Sequence, residues 1–184
     1  MRKPLFPKPY ADVVQRLRVP GGFALAAAFA WLATPRPETL LAGLPLCAAG
    51  LALRAWAAGH LRKNERLTTS GPYAWVRNPL YLGTLLMAAG CTVAAARPAL
   101  AVLAAAAFFL IYQPVMEQEE QHLRHLFPEY EDYARRVPQL LPRKPATPSA
   151  QRFSWAQYRH NREHKALYGL LMALALLAAR MLLS

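Results

Sequence analysis

Residues 71–83 read GPYAWVRNPLYLG and lie at the edge of a long apolar run, and this stretch decides how the chain folds. The Gly71-Pro72 pair predicts a turn. The Asn78-Pro79 pair predicts a helix start, because asparagine caps free backbone N–H groups and proline is tolerated at the first helical position. A polar and rigid segment therefore directly precedes an apolar helix that begins near Pro79.

Five apolar segments surround this stretch. A helix needs about 20 residues to cross the hydrocarbon core of a bilayer, and all but the first segment have that length. The chain has 184 residues, 55% of them apolar, which is a single-domain length. We predict an all-α integral membrane protein with about five transmembrane helices, forming one domain over residues 1–184. The predicted spans are Val19–Ala33, Thr39–Ala58, Pro79–Ala96, Pro98–Val115 and Ala166–Leu183.

Positive charge is segregated from these segments. Of the 22 Lys and Arg residues, 18 precede Val19 or fall in the loops 59–78 and 116–165, whereas Arg36 and Arg97 lie in the opposite loops. Cytoplasmic loops carry an excess of Lys and Arg. We therefore predict a multi-pass protein with its N-terminus and both large loops in the cytoplasm. The net charge of +12 indicates contact with anionic membrane lipids rather than with nucleic acid.

The sequence shows no sign of reactive cysteines, of a metal site or of a cleavable signal peptide. Cys47 and Cys91 fall inside separate apolar segments, where thiols usually serve as packing groups. The five histidines have no metal-ligand spacing, so no metal site is predicted. The basic N-terminus lacks the pattern of a cleavable signal peptide.

Arg77 is predicted at the membrane surface, beside the start of the third span. One interpretation is an anion site, in which backbone N–H groups and Arg77 hold a negatively charged group. The other is ordinary anchoring, with Tyr73, Trp75 and Tyr81 in an aromatic belt and the arginine reaching the interface. The residues alone leave both interpretations open.

Two further polar clusters are predicted at the same membrane face. Glu117, Glu119 and Glu120 follow the fourth span in a helix that Pro128 should interrupt, and the residues 60–67 follow the second span. Carboxylates at a membrane face are costly unless they are paired. Glu120 could pair with Arg124 one helical turn away, or these groups could face Arg77 or a cationic ligand.

At this point the chain resembles a known family. The segments GPYAWVRNPLYLG and EEQHLRHLFPEYEDYARRVPQLLP are similar to the isoprenylcysteine carboxyl methyltransferases and the related phospholipid methyltransferases. The resemblance covers roughly residues 60–142. The matching residues are Gly71, Pro72, Tyr73, Arg77, Pro79, Tyr81 and Gly83 in the first block, and Glu119, Glu120, Leu123, Phe127, Tyr130, Tyr133 and Pro138 in the second.

The resemblance implies that S-adenosyl-L-methionine binds at the cytoplasmic face, between the two blocks. Arg77 and the helix start suit its carboxylate, Glu119 or Glu120 its ammonium or ribose, and Tyr73 and Tyr81 its adenine or sulfonium. Substitution of Arg77 or Glu120 by alanine would then weaken cofactor binding and leave the fold intact. The predicted cofactor-binding residues are Tyr73, Arg77, Asn78, Pro79, Tyr81, Leu82, Glu119, Glu120 and Leu123, and the predicted catalytic residues are His60, Arg77 and Glu120.

The implied activity is methylation of a lipophilic small molecule or prenylated substrate, with an isoprenylcysteine-like carboxylate as the first choice. The alternatives are a phospholipid amine, for which His60 or a glutamate would be the candidate base, and a sterol-reductase-like enzyme that uses a nicotinamide. The chain departs from the family pattern at Asn78 and Pro128. It also lacks an arginine just before the Glu119-Glu120 pair, for which His60, Arg62 or Lys63 could substitute. The basic and aromatic segment 152–164 is predicted to contact lipid rather than to gate the site.

Overall fold

Seven α-helices and one short 3₁₀ turn form the part of the chain that the structure, a computed structural model, describes, which is residues 6–145 and 151–183. No β-strand occurs within those two ranges, and the prediction of an all-α integral membrane protein is confirmed. The helices are α1 (Lys8–Leu32), α2 (Pro37–His60), α3 (Pro79–Ala95), α4 (Pro98–Leu126), α5 (Tyr130–Arg136), α6 (Trp155–His160) and α7 (His164–Leu182), with the 3₁₀ turn at Gly71–Ala74.

Each of the five predicted apolar segments is helical, but they differ in length. Three helices, α2, α4 and α7, are long and apolar enough to cross a membrane. Among the described residues, the apolar helices Val19–Leu32 and Pro79–Ala95 are shorter than the 18 residues required of such a span. Large side chains on the outer faces are exposed, such as Trp31 and Met172, as expected of surfaces that lie against lipid tails.

The N-terminal helix differs from the prediction. The sequence YADVVQRLR at residues 10–18 predicts a short amphipathic stretch at the membrane interface, ahead of the first apolar segment. In the structure, α1 includes this stretch and runs without interruption through Pro20. A proline inside a helix costs about 3 kcal/mol, so other contacts must hold the two halves in line. For the half before Pro20 they come from α4, where the Leu110 carbonyl accepts a hydrogen bond from the Tyr10 hydroxyl at 2.8 Å and the Gln118 amide donates to Asp12 at 2.9 Å. At the other end of the helix, Arg97 Nε donates to the Leu32 carbonyl at 3.1 Å.

Close packing of small residues joins α2 to α3. A Cβ atom on Gly50 would lie 2.5 Å from the carbonyl oxygen of Gly83, so a side chain at this position would separate the two backbones. Cys47 packs in the same seam, where its thiol lies 4.0 Å from that of Cys91. Small residues that let two helices approach closely are a common basis of helix association in membranes.

The polar groups collect at one end of the bundle, which we call the polar end. Here α2 and α4 end while α3 and α7 begin. The opposite end is closed by a buried apolar cluster of Ala33, Ala94, Ala95, Leu100 and Leu177. The site described below lies at the polar end.

Candidate functional site

The start of α3 is confirmed at Pro79, but the predicted cap is wrong. Asn78 occupies the position before the helix, and its side chain accepts no hydrogen bond from the first turn. Its amide instead donates to Glu120 Oε1 at 3.1 Å. A nearby carboxylate is a stronger acceptor than a neutral group, and it draws the asparagine side chain away from the helix.

Arg77 and Glu120 form a buried, two-pronged ion pair. Arg77 Nε donates to Glu120 Oε1 at 3.1 Å, and Nη2 donates to Oε2 at 3.2 Å. Nη1 donates to the carbonyl oxygens of Ala134 and Val137 at 2.8 and 3.0 Å. Glu120 also lies 3.7 Å from Arg124, so both partners that the sequence offered for this carboxylate are present. The anionic group beside the start of α3 is therefore a side chain of the protein itself.

Backbone hydrogen bonds fasten the two motif blocks together around this pair. The N–H groups of Arg77 and Asn78 donate to the carbonyls of Pro138 and Gln139 at 2.8 and 3.2 Å, and the Arg143 N–H donates to the carbonyl of Trp75 at 2.9 Å. The quoted stretch is thus held along an extended segment that follows α5. This contact fixes the first block against the second over several residues.

Two buried tyrosines of α5 complete the junction. The Tyr133 hydroxyl donates to the carbonyl of Tyr73 at 2.7 Å. Burial and the neighbouring Glu120 carboxylate raise the pKa of Tyr130, so this phenol stays protonated. The Arg124 guanidinium lies 5.4 Å from the centre of the Tyr130 ring, a cation–π contact.

A cavity of about 740 Å³ opens beside this junction. Small-molecule sites commonly have volumes of about 300–1,000 Å³, so this cavity is large enough for a cofactor-sized ligand. Both motif blocks contribute to its wall, as does the start of α1. Of the predicted cofactor-binding residues, those that line it are Tyr73, Arg77, Asn78, Pro79, Tyr81, Glu119 and Leu123.

Two buried polar atoms of the cavity wall have no hydrogen-bond partner among the described residues. They are the hydroxyl of Tyr73 and the side-chain oxygen of Gln118. A buried polar atom without a partner costs about 1–3 kcal/mol. Glu119, on the same wall, presents an exposed carboxylate. These three groups are available to contact a polar ligand, whereas the Arg77 guanidinium already donates to acceptors within the protein.

The cavity wall changes in character with depth. Arg62, Lys63 and Arg66 line it from the loop of residues 61–68, which we call the basic loop. Leu80 and Val115 line it from α3 and α4. With a rise of about 1.5 Å per residue, Val115 lies roughly 12 Å deeper along α4 than residue 123. The cavity therefore has a polar mouth and an apolar interior.

Three predicted site residues do not line this cavity. Leu82 and Glu120 are not among the described residues that line it, and Glu120 is buried in its ion pair with Arg77. His60 is buried at the end of α2, where its Nδ1 lies 3.1 Å from the Ser70 hydroxyl oxygen, and it borders a separate cavity of about 220 Å³. The predicted catalytic roles of His60 and Glu120 therefore have no support from their positions.

A second ion pair lies within the bundle, below the first turn of α3. Arg54 of α2 donates from Nε to Glu163 Oε1 at 2.5 Å, and from Nη1 to the Leu80 carbonyl and the Thr84 hydroxyl at 3.1 and 2.5 Å. Only 21% of the Arg54 side chain and 9% of the Glu163 side chain are exposed. Glu163 comes from the segment just before α7, which this contact ties to the end of α2.

Several site residues escaped the sequence-based prediction. Gln118 carries no signal beyond its place next to Glu119, and Phe6 and Gln15 reach the cavity wall only through the packing of α1. Arg54 had a recognisable signal, since an ionisable residue inside a span usually has a partner. No group of three or more His, Cys, Asp or Glu residues that could hold a metal ion occurs in the described residues.

The fold and the site define a class, an all-α integral membrane protein with a cavity of small-molecule size at the polar end of its helix bundle. A sequence model of the phospholipid methyltransferase family matches residues 39–130, which is half of the chain. The chain therefore belongs to the phospholipid methyltransferase family. The match includes nearly all of α2, the whole of α3 and α4, the basic loop, and the second block as far as Tyr130.

Known relatives share this central region. The chain is 41% identical over 92 residues to the cobalt-zinc-cadmium resistance protein CzcN of Cupriavidus metallidurans, covering 49% of this chain and 43% of that protein. It is 34% identical over 115 residues to the nickel-cobalt-cadmium resistance protein NccN of Alcaligenes xylosoxydans xylosoxydans, covering 61% and 53%. The mouse protein-S-isoprenylcysteine O-methyltransferase is 40% identical over 77 residues, covering 41% and 27%. The chain thus spans about half the length of the two metal-resistance proteins. No solved structure matches it.

Proposed function

We propose that this protein is a membrane methyltransferase that uses S-adenosyl-L-methionine and methylates a lipophilic acceptor in the large cavity. The observation that carries the proposal is the Arg77–Glu120 junction, which brings both family motif blocks onto one cavity of suitable size. Membership of the phospholipid methyltransferase family and the similarity to isoprenylcysteine O-methyltransferases support the reaction class.

The polar mouth of the cavity fits the methyl donor. The exposed Glu119 carboxylate and the unpartnered Gln118 oxygen are acceptors that suit an ammonium group and ribose hydroxyls. The donor's carboxylate fits the basic loop, at Arg62, Lys63 or Arg66, rather than Arg77, whose guanidinium is engaged by the protein. In this proposal Arg77 is a positioning residue that holds the cavity wall in place.

When bound, S-adenosyl-L-methionine would supply a methyl group on a sulfonium sulfur. Its transfer would form a bond from an acceptor atom to the methyl carbon and break the sulfur–carbon bond, with the electron pair left on sulfur. The protein's part is to hold the two reactants in line and away from bulk water. The apolar interior of the cavity serves both purposes, because its wall comes from buried residues such as Val115 and Pro114.

We infer that the acceptor is a lipophilic molecule with a carboxylate, as in a prenylated cysteine. The apolar interior would take its hydrocarbon part, and a carboxylate needs no base at neutral pH because it is already ionised. No histidine is required for this reaction, in keeping with the position of His60 outside the cavity.

A phospholipid amine is the second candidate acceptor. The exposed Glu119 carboxylate on the cavity wall favours it, because this group would attract an ammonium. The product distinguishes the two acceptors, since a methyl ester is cleaved by base and an N-methyl group is not.

The charge bias supports an orientation in which the polar end faces the cytoplasm, where a water-soluble donor is available. Cysteine substitutions at Lys144, near the polar end, and at Glu38, near the opposite end, test it with a thiol reagent that does not cross membranes. In intact cells we expect labelling at Glu38→Cys only. Labelling at Lys144→Cys only would reverse the orientation.

A transfer assay tests the proposed function. Membranes that contain the full chain are incubated with methyl-labelled S-adenosyl-L-methionine and either N-acetyl-S-farnesylcysteine or phosphatidylethanolamine vesicles. We expect base-labile label on the farnesylated acid. Stable label on the phospholipid would favour the second candidate, and label on neither acceptor, above membranes that lack the protein, would contradict both.

A further inference from the structure

The separate cavity beside His60, which we call the second cavity, has no part in the proposed function. Its volume is about 220 Å³, below the range of about 300–1,000 Å³ that is usual for small-molecule sites. It lies between the end of α2, the basic loop and the segment that leads into α6. Its size suits one small polar group rather than a whole cofactor. Its wall consists of Gly59, His60, Arg62, Arg66, Gln151, Arg152, Ser154 and Gln157.

The wall of the second cavity is strongly basic. It contains three arginines and, among the residues that the structure describes, no Asp or Glu. Arg62 has an acidic neighbour in Glu65 at 3.7 Å, but both side chains are exposed, and exposed ion pairs of this kind contribute little. The Arg152 side chain is exposed and forms no hydrogen bond or ion pair within the described part of the chain. Because its positive charge is not balanced locally, the cavity should attract an anion.

Hydrogen bonds between distant parts of the chain hold this wall together. The Gln151 side-chain oxygen accepts from the Ser70 hydroxyl and from Arg66 Nη2, each at 2.8 Å. Since the hydrogen of the Ser70 hydroxyl is used in this way, its oxygen accepts from His60 Nδ1 at 3.1 Å. These bonds join the end of α2, the basic loop and the segment before α6. The arginines of the wall are therefore brought together before any ligand binds, which reduces the cost of binding.

The second cavity lies at the level of the membrane surface. Helix α2, which is long and apolar enough to cross a membrane, ends at His60 in the cavity wall. Trp155, next to the wall residue Ser154, is 68% exposed, and its ring centre lies 4.9 Å from that of Phe153. Exposed tryptophans are typical of the boundary between membrane and water. Basic pockets beside membrane helices at this level bind anionic lipid head groups.

We propose that the second cavity binds the phosphate group of an anionic membrane phospholipid through Arg62, Arg66 and Arg152. Guanidinium groups bind phosphate oxygens through pairs of charge-assisted hydrogen bonds. A free phosphate ion offers the same oxygens, but the interfacial position of the cavity favours the lipid. Methyl transfer is not required for this inference. Arg62 and Arg66 also line the large cavity, so the bound head group would lie beside the site proposed for the donor.

The test is a titration of the full-length protein in detergent with phosphatidylglycerol or phosphatidylcholine, followed by native mass spectrometry. Wild type should bind the first phosphatidylglycerol more tightly than the first phosphatidylcholine. Arg152→Gln should weaken phosphatidylglycerol binding by about 10-fold, because it removes hydrogen bonds to a charged group. The matched control is Arg159→Gln, an exposed arginine of α6 outside both cavity walls, which should bind this lipid like wild type.

Two further measurements separate this role from a structural one. Arg152→Gln should unfold at the wild-type temperature, since its side chain has no partner among the described residues. Its affinity for S-adenosylhomocysteine should stay within about twofold of wild type, because Arg152 does not line the large cavity. The proposed function is thus tested independently of the lipid site.

Three results would overturn the inference. The first is equal binding of phosphatidylglycerol by wild type and Arg152→Gln, and the second is equal weakening in Arg152→Gln and Arg159→Gln, which would indicate a general charge effect. The third concerns the source of the phosphate. Inorganic phosphate at equal concentration should leave the lipid bound, whereas its displacement of the lipid would assign the cavity to a free anion.

Discussion

Arg77 and Tyr73 belong to the same motif block, four residues apart, and their polar groups are in opposite situations. Every nitrogen of the Arg77 guanidinium donates to a protein acceptor, and the partner carboxylate of Glu120 is buried with it. The Tyr73 hydroxyl is equally buried and has no acceptor among the described residues. The Arg77 guanidinium therefore stabilises the fold, whereas the Tyr73 hydroxyl is a candidate for a hydrogen bond to a bound ligand.

This contrast divides the motif by function. Residues whose polar groups are satisfied internally, such as Arg77, Asn78 and Glu120, hold the two blocks together. Residues that present unsatisfied or exposed groups to the cavity, such as Tyr73 and Glu119, are the candidates for ligand contact. Substitutions in the first set should change stability, and those in the second should change binding.

The largest effect is expected at the junction. Arg77→Ala leaves the Glu120 carboxylate buried without its main partner, and removal of one member of a buried ion pair costs about 3–5 kcal/mol. The free energy of unfolding, measured in detergent, should fall by that amount. The exposed Arg135, also paired with an acidic residue, is the matched control, and its alanine variant should lose less than about 1 kcal/mol.

This expectation replaces the one drawn from the sequence, which was loss of cofactor binding with an intact fold. The double variant Arg77→Ala/Glu120→Ala should lose less stability than the sum of the two single variants, since the unpaired charge is absent. Additive losses, or wild-type stability of Arg77→Ala, would contradict the assignment of this pair to the fold.

An intermediate effect is expected at Glu163. The Glu163→Gln variant keeps the shape of the side chain and removes the charge that faces Arg54, which still bonds the Leu80 carbonyl and Thr84. The glutamine oxygen can still accept from Arg54 Nε, but the buried guanidinium loses the opposite charge, so the unfolding free energy should fall by about 1–3 kcal/mol. An unchanged unfolding temperature would show that the segment before α7 is held to α2 by other contacts, such as Asn161 with the carbonyls of Ala58 and Leu61.

The smallest effect on stability is expected at Glu119. Its carboxylate is exposed and faces the cavity, so Glu119→Gln should unfold like wild type. If the carboxylate binds the donor's ammonium or ribose, affinity for S-adenosylhomocysteine should fall by about 10-fold. Calorimetric titration measures this, with Glu129→Gln as an exposed control outside the cavity wall. Equal weakening in both variants would remove Glu119 from the site.

Much of the fold could be predicted because membrane helices are encoded locally. The length and apolar content of each segment, the helix start at Pro79 and the break at Pro128 all follow from a few neighbouring residues. The continuity of α1 through Pro20 could not be predicted in this way, since it depends on contacts with α4, about 100 residues away.

The site was predictable in location and less so in detail. Of the three polar clusters that the sequence placed at one membrane face, two meet directly through Arg77 and Glu120. The side-chain direction of Asn78 and the partner of Arg54 depend on distant residues. A motif also cannot tell whether a polar residue serves the fold or a ligand, because both roles use the same residue types. The hydrogen-bond partners in the structure distinguish the role of Arg77 from that of Tyr73.

The most direct test of the account is an experimental structure of the full-length protein with S-adenosylhomocysteine. We predict density for this ligand in the large cavity, between the basic loop and Glu119, with the Arg77–Glu120 pair unchanged beside it. A ligand bound elsewhere, or Arg77 released from Glu120 to contact the ligand, would contradict the division of the motif on which the account depends.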